Sequence, residues 1–376
     1  MLRINFGMQE VNHYSTGIGV FTNRMILELM KYSDLDCSGN IFYTPGLSKS
    51  DLTRFDFPVK MSWLPARFAY DTRLRRLPVS MSRICRRQSD INLFFNYKLP
   101  RVKLDGKVIT TIHDLIPLKT EMENPSVKKR YLAQVQDAVE HSDRILTVSE
   151  HSKSDLLSYF AIPESKLFVV PNGVDFADFN APVRPEEREA VRKRYQLPEK
   201  FILYFGSTRK HKNVVSILKA YIRLPESIRN TYHLVITNAN EQLRQMAAEA
   251  GMQPFIRFVG RVDASDKVAF YQLADLNLFL SLYEGFGIPV IEAMAAGVPV
   301  IASDTSSLPE VAADAAILVD PLAVGRITQA MADVLTDSGL RRDMIQRGQV
   351  NAQKYSWENA AKKLHDWLIS EFAAKP

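Results

Sequence analysis

Residues 276–302 read LNLFLSLYEGFGIPVIEAMAAGVPVIA, and this stretch decides the fold. An apolar run at 276–280 reads as a buried strand, a loop with two glycines follows, a helix begins near Ile288, and a second apolar run at 298–302 reads as the next strand. Pro289 marks the helix start, because a first-turn residue needs no N–H and the φ of proline is already helical. Strand, helix, strand is the unit from which parallel sheets are wound. Working outward, further strands are expected at 2–6, 40–43, 91–95, 108–112, 144–148 and 167–170, then at 201–205, 233–236, 256–259 and 316–319. Helices are expected over 20–31, over 186–195 and from Ser356 to about residue 373. Two sheets of about six strands suit 376 residues, since one core stops growing at roughly 250–300. The expected class is α/β with two Rossmann-like domains. The turn signal Pro171-Asn172-Gly173, with Pro182 and Pro185 after it, marks the break. Domains are therefore expected at 1–175 and 176–355, with 356–376 as a closing helix.

Hydrophobic residues make up 46% and charged residues 24%, which excludes a disordered chain. Cys37 and Cys85 show no CxxC spacing, so neither a disulfide framework nor a thiolate metal site is expected, and a reducing compartment fits. Residues 1–7 lack a basic run followed by an apolar stretch, and no 18 apolar residues are consecutive, so neither a signal peptide nor a membrane span is expected. A cytoplasmic protein is the expectation. The net charge of +6 is unevenly placed: residues 1–175 carry 24 basic against 19 acidic side chains. Arg67, Arg73, Arg75, Arg76, Arg83, Arg86 and Arg87 lie within 21 residues and face one acid, Asp71. That run is either a solvated helical face or a patch for an acidic substrate or an anionic membrane surface, where each basic residue contributes about 1 kcal/mol. No zinc-finger or base-stacking pattern accompanies it, so nucleic acid is not expected as a partner.

Open parallel sheets bind ligands at the carboxyl ends of their strands, and two such sheets facing each other form a cleft. The loop Glu284-Gly285-Phe286-Gly287-Ile288 lies at one such end, with the amides from about Gly287 to Val290 opening a helix as an anion site. Glu284 in the loop and Glu292 one turn into the helix are not required for folding there, although a first-turn Glu also favours the helix dipole. As a pair, one carboxylate suits the hydroxyls of a sugar and the other a ribose. After the strand at 201–205 come Gly206-Ser207-Thr208-Arg209-Lys210-His211-Lys212, a crowd of basic groups that a diphosphate would neutralise. Lys212 is the first candidate for phosphate and Arg209 the second. No GxxxxGK[ST] is present. Gly17-Ile18-Gly19 follows the first strand but lacks the third glycine of a dinucleotide fingerprint, so no nicotinamide cofactor is expected. His113-Asp114 and Ser149-Glu150-His151-Ser152 also follow strands; the latter also suits a helix start. No metal-ligand spacing is found, and Asp34-Leu35-Asp36 is the only DxD.

These segments together resemble the retaining, nucleotide-sugar-dependent glycosyltransferases of family 4, which have the GT-B fold. The likeness is densest over 201–321: Gly206-Ser207 with His211-Lys212-Asn213, Phe258-Val259-Gly260, Ala274-Asp275, Glu284 and Glu292 with seven residues between them, Gly297-Val298-Pro299 and Leu308-Pro309-Glu310 occur in family order. It extends to Thr111-Ile112-His113-Asp114 and to Pro171-Asn172-Gly173-Val174-Asp175. The resemblance implies transfer of a sugar from a nucleoside diphosphate to a hydroxyl, with retention and without a metal or other cofactor. It implies that Glu284 holds sugar hydroxyls and that Gly285, Phe286, Gly287 and Ile288 meet sugar and phosphates. Lys212 and Arg209 would neutralise the diphosphate beside Ser207, Gly260 and Arg261 would touch the base, and Glu292 would bind the ribose. His113 would reach the donor sugar, and Gly17 and Gly19 the phosphates or the acceptor. Many relatives carry Arg where this chain has Thr208, so Arg209, Lys210 and His211 stay open as phosphate contacts. His113-Asp114-Leu115-Ile116-Pro117-Leu118 with His211-Lys212-Asn213 looks most like the mannosyltransferases, which makes GDP-mannose the expected donor and a lipid-linked or growing surface polysaccharide the expected acceptor. The final helix would return to the first domain. A nucleotide-sugar hydrolase, phosphorylase or epimerase, and a non-catalytic basic scaffold binding membrane or glycan, are the other readings.

Overall fold

The computed structural model describes residues 1–12, 16–45, 52–74, 77–121 and 125–373. The chain divides into two units, Met1–Gly173 with Trp357–Pro376, and Val174–Ser356.

In the first unit the strands are β1 (Leu2–Gly7), β2 (Leu35–Tyr43), β3 (Val59–Pro65), β4 (Leu77–Ser80), β5 (Ile91–Phe94), β6 (Val102–Lys103), β7 (Lys107–Thr111), β8 (Arg144–Thr147) and β9 (Leu167–Val169). Seven form one parallel sheet in the order β3-β2-β1-β5-β7-β8-β9, and β4 pairs with β6 apart from it. Central strands such as β5 are buried along their whole length, as they must be when helices cover both faces. The helix Trp357–Phe372 belongs to this unit: Trp367 stacks on Phe168, and Arg144 ion-pairs with Glu371.

The second unit holds β10 (Phe201–Tyr204), β11 (His233–Thr237), β12 (Ile256–Val259), β13 (Leu276–Phe279), β14 (Val300–Ser303) and β15 (Ile317–Val319). All six are parallel in the order β12-β11-β10-β13-β14-β15. The winding reverses between β10 and β13, so the loops leaving those two strands part and open a crevice at their carboxyl ends. In the first sheet the reversal lies between β1 and β5.

Several sequence expectations change. The strands β3, β4 and β6 were not expected; β3 is the sheet edge, where a proline at its end needs no ladder partner. The arginine segment is not one helical face: it runs through the short helix Ala66–Ala69, β4 and the short helix Met81–Cys85. The first long helix is Gly17–Leu29, so Gly17 and Gly19 lie in its first turn rather than in a free loop. The Thr16 side chain accepts from Gly19 N at 3.0 Å, and that cap outweighs the poor helix propensity of glycine.

Candidate functional site

The crevice between β10 and β13 gathers most of the second unit's candidate residues. After β10 the chain makes a 3₁₀ turn, Lys210–Lys212, and Asn213 takes a left-handed conformation at φ 53°. Asn213 Nδ2 donates to the carbonyls of Leu280 and Pro321 at 3.1 and 2.8 Å, and Leu282 N donates to His211 O at 2.7 Å. These bonds tie the basic loop to the ends of β13 and β15. They bring Lys212 Nζ to 2.5 Å from Glu284 Oε1, with the two side chains only 18% and 8% exposed. Lys212 Nζ also stands 5.3 Å from the Phe279 ring centroid.

The loop carrying Glu284 is pinned from the end of β14. Glu284 N donates to Ser306 Oγ at 3.0 Å, while Ser307 Oγ reaches the carbonyls of Glu284 and Phe286 at 3.1 and 3.0 Å. Gly285 and Phe286 are buried. Gly287, at φ 105°, caps the helix Ile288–Ala295, and a Cβ there would stand 2.5 Å from Leu308 Cδ2. The expected row of free amides is shorter than the sequence suggested. Val290 N already donates to Gly287 O at 2.9 Å and Pro289 has no N–H, so the anion-facing amides are those of Gly287 and Ile288.

Glu292 is buried one turn into that helix. Its Oε1 is ion-paired with Lys267, and its Oε2 accepts from Tyr271 Oη at 3.2 Å. Ser207 and Arg209 are exposed in the loop after β10; Tyr204 Oη donates to Ser207 O at 2.5 Å. Burial and the neighbouring Lys212 push the His211 imidazole below its usual range, so it stays neutral beside the lysine. Gly260 and Arg261 are exposed at the end of β12.

In the first unit, His113 follows β7. Its Nε2 lies 3.0 Å from the carbonyl of Phe95 and its ring meets Phe21 edge-on, with centroids 5.0 Å apart. A carbonyl only accepts, so Nε2 carries the proton. Burial holds the imidazole at a pKa of about 4, so Nδ1 keeps its lone pair and can accept from a hydroxyl. Asp114 Oδ1 accepts from Ile116 N at 2.9 Å, a turn-forming role. Near His113, at the reversal of the first sheet, Glu10 Oε1 accepts from Asn96 Nδ2 at 3.0 Å and from Lys98 Nζ at 3.2 Å. Gly17 lies in open space, whereas the amide of Gly19 is occupied by Thr16.

Within the arginine segment, Arg73 is held by Asp71 in a bidentate pair at 2.9 and 2.7 Å, and Arg87 is paired with Asp36. Arg67, Arg83 and Arg86 are exposed; Arg75 and Arg76 lie outside the described residues. Interleaved with them are exposed apolar side chains: Trp63 at 86%, and Phe68, Leu74, Leu77 and Val79. Among the described residues no helix is long and apolar enough to cross a membrane.

Sequence reasoning missed Lys267, Tyr271, Ser306, Ser307, Glu10 and Lys98. The four-residue spacing of Lys267 and Tyr271 was the one local signal, because it sets both on one helix face.

Comparison with known proteins adds the following. The family described as glycosyl transferases group 1 matches residues 186–351, and the family described as glycosyltransferase family 4 matches 42–178. O-antigen chain mannosyltransferase B of Escherichia coli is 32% identical over 270 residues, covering 70% of each chain. The serotype-specific mannosyltransferase WbdA of Escherichia coli is 28% identical over 280 residues, which is 71% of this chain but only 34% of that one. This chain therefore spans about a third of WbdA. In fold, sucrose-phosphate synthase of Thermosynechococcus elongatus superposes with a TM-score of 0.75 at 16% identity, covering 100% of both chains. The two Rossmann-like units are those of the GT-B fold.

Proposed function

Because the chain belongs to the group 1 glycosyltransferases of family 4, a premise that makes it an enzyme using a nucleotide sugar, we propose that it transfers mannose from GDP-mannose to a hydroxyl of a lipid-linked or growing surface polysaccharide. The observation that carries the reading is the Lys212–Glu284 pair beneath the helix Ile288–Ala295, with mannosyltransferases among its relatives. A diphosphate entering the crevice takes Lys212, with Arg209 beside it, and accepts from the amides of Gly287 and Ile288. Glu284 is then released to the sugar hydroxyls, while Glu292 serves the ribose and the Gly260-Arg261 corner the base.

The step breaks the bond between the anomeric carbon and the diphosphate oxygen and forms one to the acceptor oxygen on the same face. The acceptor proton passes to a phosphate oxygen of the leaving group. Negative charge grows on that diphosphate, and preorganised cations and amides aimed at it supply several kcal/mol. Cations of the chain do this work, and no metal or other cofactor is required. In the first unit, His113 is the residue that the family likeness suggests for a hydroxyl of the donor sugar, with Nδ1 as the acceptor. The exposed Trp63 and Phe68 with Arg67, Arg83 and Arg86 support docking on the anionic inner face of a plasma membrane, where a lipid-linked acceptor is presented.

The test is a thermal-shift panel of nucleotides and nucleotide sugars, followed by product analysis with a polyprenyl-linked mannosyl acceptor. GDP and GDP-mannose should raise Tm; ligand at 100 times its Kd adds about 2.7 kcal/mol. A shift with UDP but not GDP would redirect the base, and no shift with any nucleoside diphosphate would sink the donor site. Complete release of nucleotide without acceptor would favour a hydrolase. Unchanged function in Lys212→Ala and Glu292→Ala would favour the scaffold.

A further inference from the structure

Around Glu292 the second unit commits two side chains that the catalytic reading leaves unused. Lys267 and Tyr271 stand four residues apart on the helix Lys267–Gln272, and each takes one oxygen of the Glu292 carboxylate. Glu292 is buried, and Lys267 is the cation beside its carboxylate. Its ammonium lies 5.7 and 5.9 Å from the ring centroids of Phe205 and Phe179, which wall it toward the carboxylate. Tyr271 is fully buried with Glu292 as its partner, so its hydroxyl fixes the rotation of the carboxylate.

A carboxylate oxygen has two acceptor sites, so each Glu292 oxygen keeps one after these bonds are made. Two ionised acceptors held at fixed spacing match a vicinal diol, which presents two O–H donors. We propose that Lys267, supported by Tyr271, is a positioning residue that holds the Glu292 carboxylate aimed at the 2′ and 3′ hydroxyls of the donor's ribose. The inference rests on the nucleoside-diphosphate reading of the crevice and goes beyond it, since it assigns the ribose preference to a lysine outside the glutamate motif. A purely structural pair would pin the two helices together with no dependence on the ribose.

The experiment is titration calorimetry of the full chain with GDP and UDP and with their 2′,3′-dideoxy forms. Hydrogen bonds to a charged acceptor correspond to about ten- to hundredfold in Kd, so the wild type should prefer the ribonucleotide by at least tenfold. In Lys267→Met the preference should fall to within about twofold. Lys267→Arg should retain it, and Tyr271→Phe should reduce it without abolishing binding. A Lys267→Met protein with the wild-type preference overturns the proposal, as does a wild type that binds both forms equally. If Lys267→Met does not fold, the Tyr271→Phe ratio decides: an unchanged preference overturns the proposal. Failure of the wild type to bind any nucleoside diphosphate removes the donor site itself, and this inference with it.

Discussion

Protonating His113 should destabilise the first unit by an amount its burial sets. The ring lies between Phe21 and the Phe95 carbonyl, where only the neutral Nε2–H form fits. Its pKa falls from 6.5 to about 4 on folding, chiefly through burial. The unfolded chain therefore binds a proton through that window that the folded chain refuses. The stability this depressed pKa confers is complete above pH 6.5 and drains away as pH falls toward 4. At about 1.4 kcal/mol per unit, two and a half units amount to about 3 kcal/mol. The assay is urea unfolding of wild type and His113→Gln at intervals from pH 7.5 to 4, followed by a probe in the first unit. The wild-type advantage should shrink by about 3 kcal/mol across that range, and the His113 ring resonances, assigned by their loss in the variant, should titrate with a midpoint near 4. A midpoint at or above 6 would refute the burial argument, and with it the claim that Nδ1 stays an acceptor at neutral pH. Activity should accordingly show no His113 limb between pH 5.5 and 9.

Three further outcomes follow from single contacts. Lys212→Met leaves Glu284 buried without its cation and should cost the second unit about 3 kcal/mol in urea unfolding; Lys212→Met with Glu284→Gln should recover most of it, yet both proteins should lose GDP affinity at least tenfold. Equal GDP affinity in mutant and wild type would remove Lys212 from the phosphate site. Gly287→Ala places a Cβ against the buried Leu308 at a φ that L-residues avoid, so a loss of about 3 kcal/mol is expected, and a change under 0.5 kcal/mol would show that the loop relaxes freely. Trp63→Ser should leave Tm unchanged but reduce sedimentation with vesicles containing phosphatidylglycerol; sedimentation insensitive to lipid charge would return the arginine segment to an ordinary solvated surface.

The sheets were legible because parallel strands covered on both faces write continuous apolar runs, and the six strands of the second unit were read to within two residues or so at each boundary. The strand β3 escaped because an edge strand, apolar on one side and carrying an exposed Trp63, has no such run. The start of the helix Gly17–Leu29 escaped because glycines read as loop, and the Thr16 cap that overrides them is a matter of hydrogen-bond geometry. The candidate residues of the second unit were readable as residue types at strand ends. Their partners were not: nothing local ties Lys267 to Glu292, 25 residues away, or Lys212 to Glu284, 72 residues away.

Those unread pairings alter how the crevice is understood. Read singly, Lys212 and the two glutamates are groups waiting for phosphate, sugar and ribose. Buried charges cannot wait uncompensated, however, and here each carboxylate has a lysine from a different element. The two pairs then differ in what a ligand must do. If Lys212 takes the phosphate as proposed, a diphosphate has to compete with Glu284 for it, and the carboxylate it displaces is the one proposed for the sugar. On that reading the gain from phosphate contact is reduced by breaking one pair, although Lys212 engages only Oε1 of Glu284. Lys267 and Tyr271, by contrast, leave an acceptor site on each Glu292 oxygen and need not be displaced.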